Sequence, residues 1–145
     1  MISRKGLYAV RATLFLARRH GGQPVSVDEI ASDEGISRKF LETIMQDLKK
    51  AGILHSHRGK KGGYTLRETP QRLTIGRIVR AIDGPPVTTC SAHERCEDCP
   101  GEGDCLIRVV LHDVTDAITK VLDFKSVEQM LHERQSVHGV PMYDI

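Results

Sequence analysis

The 145-residue chain has no tryptophan and only three tyrosines and three phenylalanines. Proteins that hold single-stranded nucleic acid depend on exposed aromatic rings for base stacking, so this scarcity argues against that class. No segment approaches the ~18 consecutive apolar residues of a membrane-spanning helix, and we expect no membrane partner. The first apolar segment is interrupted by Arg11, Arg18 and Arg19, which is atypical of a secretory signal peptide. The expected location is therefore the cytoplasm.

Cysteine is absent from the first 89 residues and then occurs four times within a short stretch, at Cys90, Cys96, Cys99 and Cys105. A disulfide framework is typical of small secreted proteins rather than of a reducing cytoplasm. The clustering therefore indicates a bound metal, an iron–sulfur cluster or a redox-sensitive thiol site.

The small net charge of +2 is the sum of two opposite halves. Residues 1–68 contain 13 Lys and Arg against 7 Asp and Glu, a net charge of +6. Residues 69–145 contain 8 against 12, a net charge of −4. Such asymmetry predicts that the first half meets a polyanion and that the second half does something else.

Three helices are predicted in the basic half. Apolar residues recur at helical spacing over residues 3–19. Ser26 and Glu29 form a capping box that opens a short second helix. A tight turn at Gly35 leads to Ser37, which is predicted to cap a third helix ending near Lys50. The inner face of this third helix is predicted to consist of Phe40, Leu41, Ile44, Met45 and Leu48. A short helix, a turn with glycine and a second helix are typical of a helix-turn-helix.

A basic hairpin is predicted directly after the third helix. Residues 53–57 and 64–67 can pair as strands, and the loop between them holds three glycines together with Arg58, Lys60 and Lys61. The expected fold is mostly α with a small β-hairpin wing, which suits a helix in the major groove of DNA and a wing on the minor groove or phosphates. The alternative is a solvated hairpin whose lysines only aid solubility.

The acidic half is predicted to begin with a linker and connecting helix over 69–86, in which Thr74 caps a helix ending near Asp83. A cysteine-rich sensor loop follows over 87–104. A long helix from Cys105 to Phe124 and a short one from Val127 to about His132 make up 105–134, and 135–145 is expected to be a loose tail. The long helix has an apolar seam at alternating steps of three and four, which predicts a dimerisation helix, although a single core helix is the alternative. The seam consists of Ile107, Val110, Val114, Ala117, Val121 and Phe124.

The candidate DNA contacts lie at the start of the first helix, on the outer face of the third helix and in the wing. Arginine and lysine can bind phosphates or guanine, while glutamate and glutamine can pair with cytosine and adenine. For Glu42 the alternative is a salt bridge that orients Arg38. The candidates are Ser3, Arg4, Lys5, Tyr8, Ser37, Arg38, Lys39, Glu42, Gln46, Arg58, Lys60 and Lys61.

The order of elements and several short segments resemble the Rrf-type family of bacterial winged helix-turn-helix regulators. The most specific segments are SRKGLYAV at 3–10, GIS at 35–37, FLE at 40–42, LKKAGI at 48–53 and RGKKGGY at 58–64, together with the cysteine loop. The resemblance covers residues 1 to about 133. It implies a homodimer on a palindromic operator in double-stranded DNA, usually acting as a repressor, and it implies that Glu42 helps to discriminate between operators.

The resemblance also implies that three cysteines of the loop bind an iron–sulfur cluster. Cys90 and Cys105 are the outer pair, and either Cys96 or Cys99 can be the middle ligand. The fourth ligands of related proteins are missing, since Arg108 stands where some have histidine and Leu7 where others have aspartate. Four thiolates would suit a [2Fe–2S] cluster, a [4Fe–4S] cluster or zinc, and a metal-free thiol switch is the further alternative.

An enzyme is the hypothesis from another class. The Cys96-x-x-Cys99 spacing occurs in thiol oxidoreductases, but here it does not stand at the head of a helix that follows a strand. The sequence also lacks a phosphate-binding loop and a nucleophile elbow. The sequence therefore favours a DNA-binding regulator whose operator affinity responds to chemistry at the cysteines.

Overall fold

The computed structural model describes residues 2–85 and 106–137, with side chains described over 2–85 and 109–133. This part of the chain forms six helices and one antiparallel hairpin, which confirms the predicted mostly α fold with a small wing. The elements are α1 (Arg4–Arg18), α2 (Val27–Glu34), α3 (Arg38–Lys50), β1 (Leu54–His57), β2 (Gly63–Leu66), α4 (Ile75–Asp83), α5 (Leu106–Phe124) and α6 (Val127–Val137).

The helix-turn-helix forms where local sequence signals place it. The Ser26 hydroxyl accepts the Glu29 backbone N–H at 3.2 Å and starts α2. Gly35 ends α2 with φ +63°, in the left-handed region that favours glycine. Ser37 is the N-cap residue of α3 as predicted, although its side chain makes no capping hydrogen bond.

Helix α3 lies at the centre of the hydrophobic core, between α1, α2 and α4. Leu41, Ile44, Met45 and Leu48 are completely buried, as the periodicity predicts. The prediction that Phe40 belongs to this inner face is wrong, because its side chain is 37% exposed. Phe40 instead lies at the rim of the core, where its ring and that of Tyr8 form a T-shaped pair with 5.9 Å between centroids.

The wing is anchored at its base. Its strands pair in a register that places Leu54 opposite Leu66 and His57 opposite Gly63. Beyond the hairpin, the backbones of Val25 and Tyr64 exchange hydrogen bonds of 3.1 and 2.8 Å. A Cβ at Gly63 would collide with the Val25 carbonyl, so glycine permits this close approach.

Helix α4 joins the helix-turn-helix to the long helix. The Thr74 hydroxyl accepts the Arg77 backbone N–H at 3.3 Å, which confirms the predicted cap. In the last turn of α4, the Arg80 guanidinium donates two hydrogen bonds of 3.1 and 2.7 Å to the carboxylate of Asp123 in α5. Val127, at the start of α6, is fully buried and donates its N–H to the Leu73 carbonyl at 2.8 Å.

Helix α5 carries an exposed apolar face. Val110, Val114, Val121 and Phe124 are 61%, 43%, 65% and 76% exposed, and Ala117 is exposed between them. Among the α5 side chains that the structure describes, Leu122 is the one that packs against the core. The Ile107 side chain and the predicted start at Cys105 lie outside the described residues.

The last helix is longer than the sequence predicts, since α6 runs to Val137 rather than to about His132. The apolar periodicity ends near Leu131, but Glu133, Arg134 and Gln135 have high helix propensity, which favours continuation of the helix. The rest of the predicted tail, residues 138–145, and the sensor loop lie outside the described residues.

Candidate nucleic-acid interface

The outer face of α3 is polar and accessible. Lys39 and Gln46 are exposed, and the side chains of Arg38 and Glu42 are 63% and 46% exposed. Arg38, Glu42 and Gln46 are spaced by four residues and Lys39 is adjacent to Arg38, and none of them belongs to the buried face of α3. The core thus orients four groups that can donate to or accept from base edges.

Arg38, at the first position of α3, is held by two carboxylates. Its Nε donates to Glu42 Oε1 at 3.0 Å, and its Nη1 lies 3.0 Å from Oδ1 of Asp28 in α2. The hydrogen bond to Glu42 and the charges of Asp28 and Glu42 raise the pKa of Arg38 above its already high ordinary value. The salt bridge considered for Glu42 is therefore present, and Asp28 is a second partner that the sequence did not indicate.

The wing tip presents basic side chains to solvent. Arg58, Lys60 and Lys61 are all exposed, and Gly59 turns the chain with φ +105°. Within the described part of the chain, none of these three cations has a carboxylate partner. As far as the described residues go, the wing tip is thus available to an external anion.

The start of α1 is used differently from the wing. The Ser3 hydroxyl caps α1 by accepting the Gly6 N–H at 3.0 Å. Ser3 also donates through its N–H and its hydroxyl to the Asp83 carboxylate, at 2.8 and 2.5 Å. Lys5 donates to Asp47 Oδ2 of α3 at 2.6 Å. These two predicted contact residues therefore hold α1 against α4 and α3.

Two further predicted residues at the start of α1 have different surroundings. Arg4 is exposed, and no described carboxylate pairs with it. Tyr8 is half-buried between Phe40 and the guanidinium of Arg11, which lies 5.7 Å from the Tyr8 ring centroid. Arg4 is thus the group of this segment that is most available to a phosphate.

The four cysteines predicted as ligands, Cys90, Cys96, Cys99 and Cys105, lie outside the described residues. Across 2–85 and 106–137, no group of three or more His, Cys, Asp or Glu side chains is placed to hold a metal ion. In the same ranges, no helix combines the length and the apolar character needed to cross a membrane.

Comparison with known proteins bears on the winged helix-turn-helix as a whole. Residues 2–133 match the Rrf2 family, described as iron-dependent transcriptional regulators. The chain belongs to the Rrf2 family of transcriptional regulators. This confirms the resemblance inferred from the motifs, and it places the protein among regulators rather than enzymes.

Individual relatives within the Rrf2 family are similar over nearly the whole chain. An rrf2-like HTH-type transcriptional regulator of Rhodobacter capsulatus is 41% identical over 138 residues, which is 90% of this chain and 92% of the relative. The solved structure of IscR from T. potens superposes with a TM-score of 0.75 at 31% identity, covering 99% of this chain and 94% of that one. The structure of CymR, the global cysteine regulator of B. subtilis, gives 0.72 at 33% identity, with 90% and 95% covered.

Three carboxylates that organise this surface were missed by sequence reasoning. Asp28, Asp47 and Asp83 each hold a predicted DNA-contact residue, but they lie 10, 42 and 80 positions away from Arg38, Lys5 and Ser3 in the chain. Helical periodicity relates residues within a few turns of one helix only. The acidic residues themselves were visible in the sequence, but their partners were not.

The Lys5–Asp47 pair predicts a pH-dependent contribution to stability. The hydrogen bond from Lys5 holds the pKa of the Asp47 carboxyl below its ordinary value of 3.8, although partial burial opposes this effect. Stability from a lowered pKa is present above the unfolded-state value and is lost as the pH falls through the folded-state value. We expect Asp47→Asn to lower the free energy of unfolding by about 0.2–1 kcal/mol near neutral pH, with the difference from wild type vanishing once the pH lies below the lowered pKa of Asp47.

Urea unfolding at neutral and acidic pH measures this difference. Asp33→Asn is the matched control, since Asp33 is an exposed aspartate that forms no ion pair among the described residues. A deficit of Asp47→Asn that stays constant down to acidic pH would contradict the role of the charged pair.

Proposed function

We propose that this chain binds double-stranded DNA as a homodimer and represses transcription from a palindromic operator. The observation that carries the proposal is the pairing of an accessible polar face on α3 with a wing tip whose cations have no partner in the described part of the chain. An α-helix fits the major groove, where base edges are distinguishable, and basic loops bind phosphates or the minor groove. Such a regulator would act in the cytoplasm, where the bacterial chromosome lies.

The proposed roles divide into affinity and specificity. Arg4, Arg58, Lys60 and Lys61 would neutralise phosphates, which sets affinity and register but carries no sequence information. Arg38, Lys39, Glu42 and Gln46 would read base edges. Ser37 would place the N-terminus of α3, with its free backbone N–H groups, beside a phosphate. Ser3 would support the interface by fixing α1 against α4, and Lys5 and Tyr8 would do so by fixing α1 against α3, the proposed reading helix.

The salt dependence of binding tests the role of the wing. Each phosphate neutralised contributes a slope of about −0.9 to the logarithm of affinity against the logarithm of salt concentration. Lys60→Gln should weaken binding to operator and random duplexes alike and make the slope less steep by about one. Fluorescence anisotropy titrations over a range of salt concentrations measure both quantities.

The control for the wing variant is Arg72→Gln, which removes a positive charge from an exposed site before α4. It should leave the slope unchanged. Equal slopes for wild type and Lys60→Gln would contradict a phosphate contact at the wing.

The homodimer is proposed from helix α5. Its exposed seam follows steps of four, three, four and three from Val110 to Phe124, the spacing of a helix that packs against another helix. Most of the stability of a helix in a protein comes from tertiary packing of its apolar face, and Leu122 is the described apolar side chain of α5 that packs against the core. A second copy of α5 would cover the seam and place two reading helices on the two halves of a palindrome.

Disrupting the seam should separate the subunits. Val121→Glu places a charge on a side chain that is 65% exposed in a single chain but buried in the proposed dimer. We expect wild type to sediment as a dimer and Val121→Glu as a monomer with weakened operator binding. Lys120→Gln, with the same change in charge on the neighbouring exposed residue, should remain a dimer. A Val121→Glu variant that still sediments as a dimer would rule out this interface.

The second part of the proposal concerns the cysteines. We infer that the Cys90–Cys105 segment binds an iron–sulfur cluster and thereby alters operator affinity. Four soft thiolate donors suit such a cluster, and the family is described as iron-dependent. When bound, the cluster would supply a redox-active centre that is sensitive to oxidants. The alternatives are zinc and a thiol switch without metal. The similarity to the cysteine regulator CymR supports the thiol switch as the alternative to be tested.

The segment is well placed to influence DNA binding, because both of its ends join structured elements. It follows Asp83, which holds Ser3 at the start of α1, and it precedes α5, which Asp123 fixes to α4. A change in the conformation of residues 86–105 would act on the contact of Asp83 with Ser3 and on the contact of Asp123 with α4. The expected consequence is a changed orientation of the two reading helices in the dimer.

Metal content tests the cysteine proposal. Anaerobically purified protein should be coloured and contain iron and sulfide, and the serine variant of the true middle ligand, Cys96 or Cys99, should lose both. Operator affinity of the loaded protein should change after oxidation. A colourless protein that takes up no iron on anaerobic reconstitution would contradict the cluster, and zinc content would then separate the two alternatives.

A further inference from the structure

We propose that Asp28 is a positioning residue that sets base specificity by holding the Arg38 guanidinium in the orientation for guanine. This inference rests on the proposed DNA binding and goes beyond it. Asp28 lies in the first turn of α2, outside the helix that reads the bases, and its side chain is 64% exposed beside that of Arg38.

The geometry supports a preorganised side chain. Glu42 is one turn along α3 from Arg38, whereas Asp28 approaches from the other helix of the motif. The two carboxylates bind two different nitrogens, Nε and Nη1, each at 3.0 Å. Two fixed points on a planar group restrict both its position and its rotation, which a single ion pair does not.

The number of donors leaves room for a base. A guanidinium has five N–H donors, of which the hydrogen bond to Glu42 uses the one on Nε, while Asp28 is an ion-pair partner 3.0 Å from Nη1. The remaining donors on Nη1 and Nη2 include a pair that suits the O6 and N7 acceptors of guanine. Arg38 can therefore bind guanine without releasing Asp28 or Glu42.

The charge of the cluster adds discrimination. One guanidinium between two carboxylates carries a net charge of −1, which phosphates repel. This repulsion is a cost at every sequence, and a guanine at the right position offsets it through its two hydrogen bonds. Asp28 is thus expected to lower affinity for random DNA more than affinity for the operator.

The test compares two duplexes, namely the one that wild-type protein enriches from a randomised pool and a scrambled duplex of equal length and composition. Asp28→Ala should lower the ratio of the affinity for the selected duplex to the affinity for the scrambled duplex by roughly three- to tenfold. The reason is that Arg38 is then no longer held in the orientation for guanine. The loss should concentrate at one G·C pair in each half-site. Asp33→Ala, at an exposed site of the same helix, should leave the ratio unchanged.

A double variant separates positioning from simple electrostatics. In an Arg38→Ala background, Asp28→Ala should have no further effect on the ratio, since its role acts through Arg38. If Asp28→Ala changes affinity for both duplexes by the same factor, or still changes the ratio without Arg38, the positioning role is overturned. Thermal unfolding of each variant verifies that it is folded at the assay temperature.

The failure of this inference and the failure of the proposed function are distinguishable. If wild type prefers the selected duplex and Asp28→Ala preserves that preference, the positioning role is refuted while operator binding stands. If wild type shows no preference for any duplex over the scrambled one, operator recognition is refuted, and the role of Asp28 with it.

Discussion

The complete burial of one face of α3 is the constraint on which the other features depend. Four side chains of this face are completely buried against the surrounding helices, namely Leu41, Ile44, Met45 and Leu48. Replacing any one of them by alanine would lower the free energy of unfolding by about 2–5 kcal/mol. Because one face of α3 is fixed in the core, only the opposite face can be exposed to solvent. The polar face of α3 is therefore presented by the core itself, and the wing follows within a few residues of its end.

Aspartate side chains join the helices to one another in addition to the apolar core. Asp47 joins α3 to α1 through Lys5, Asp83 joins α4 to α1 through Ser3, and Asp123 joins α5 to α4 through Arg80. These acidic residues bridge elements and leave the cations of the wing tip without described partners. The basic groups that bridge elements, Lys5 and Arg80, thus differ from the basic groups that face outward at the wing tip.

Much of this arrangement could be predicted because it depends on near neighbours. The caps at Ser26 and Thr74 and the glycine that ends α2 are set by residues within one helical turn, and the sequence shows them directly. Phe40 was misplaced because periodicity indicates the middle of a face but not its rim. The ion pairs of Arg38 with Asp28 and of Lys5 with Asp47 join separate helices, so they could be found only once the chain was folded. For the same reason, the sequence does not decide between Cys96 and Cys99 as the middle ligand.

Footprinting of the wild-type protein on the DNA upstream of its own gene tests most directly whether the outer face of α3 and the wing read duplex DNA. A dimer with one reading helix in each subunit predicts a protected palindrome whose half-sites are separated by about one helical turn, roughly 10 base pairs, or a multiple of it. Protection should extend from the major groove into the flanking minor groove, where the wing would lie. An absence of any protected sequence at moderate salt, or protection of a single unpaired half-site, would contradict the account.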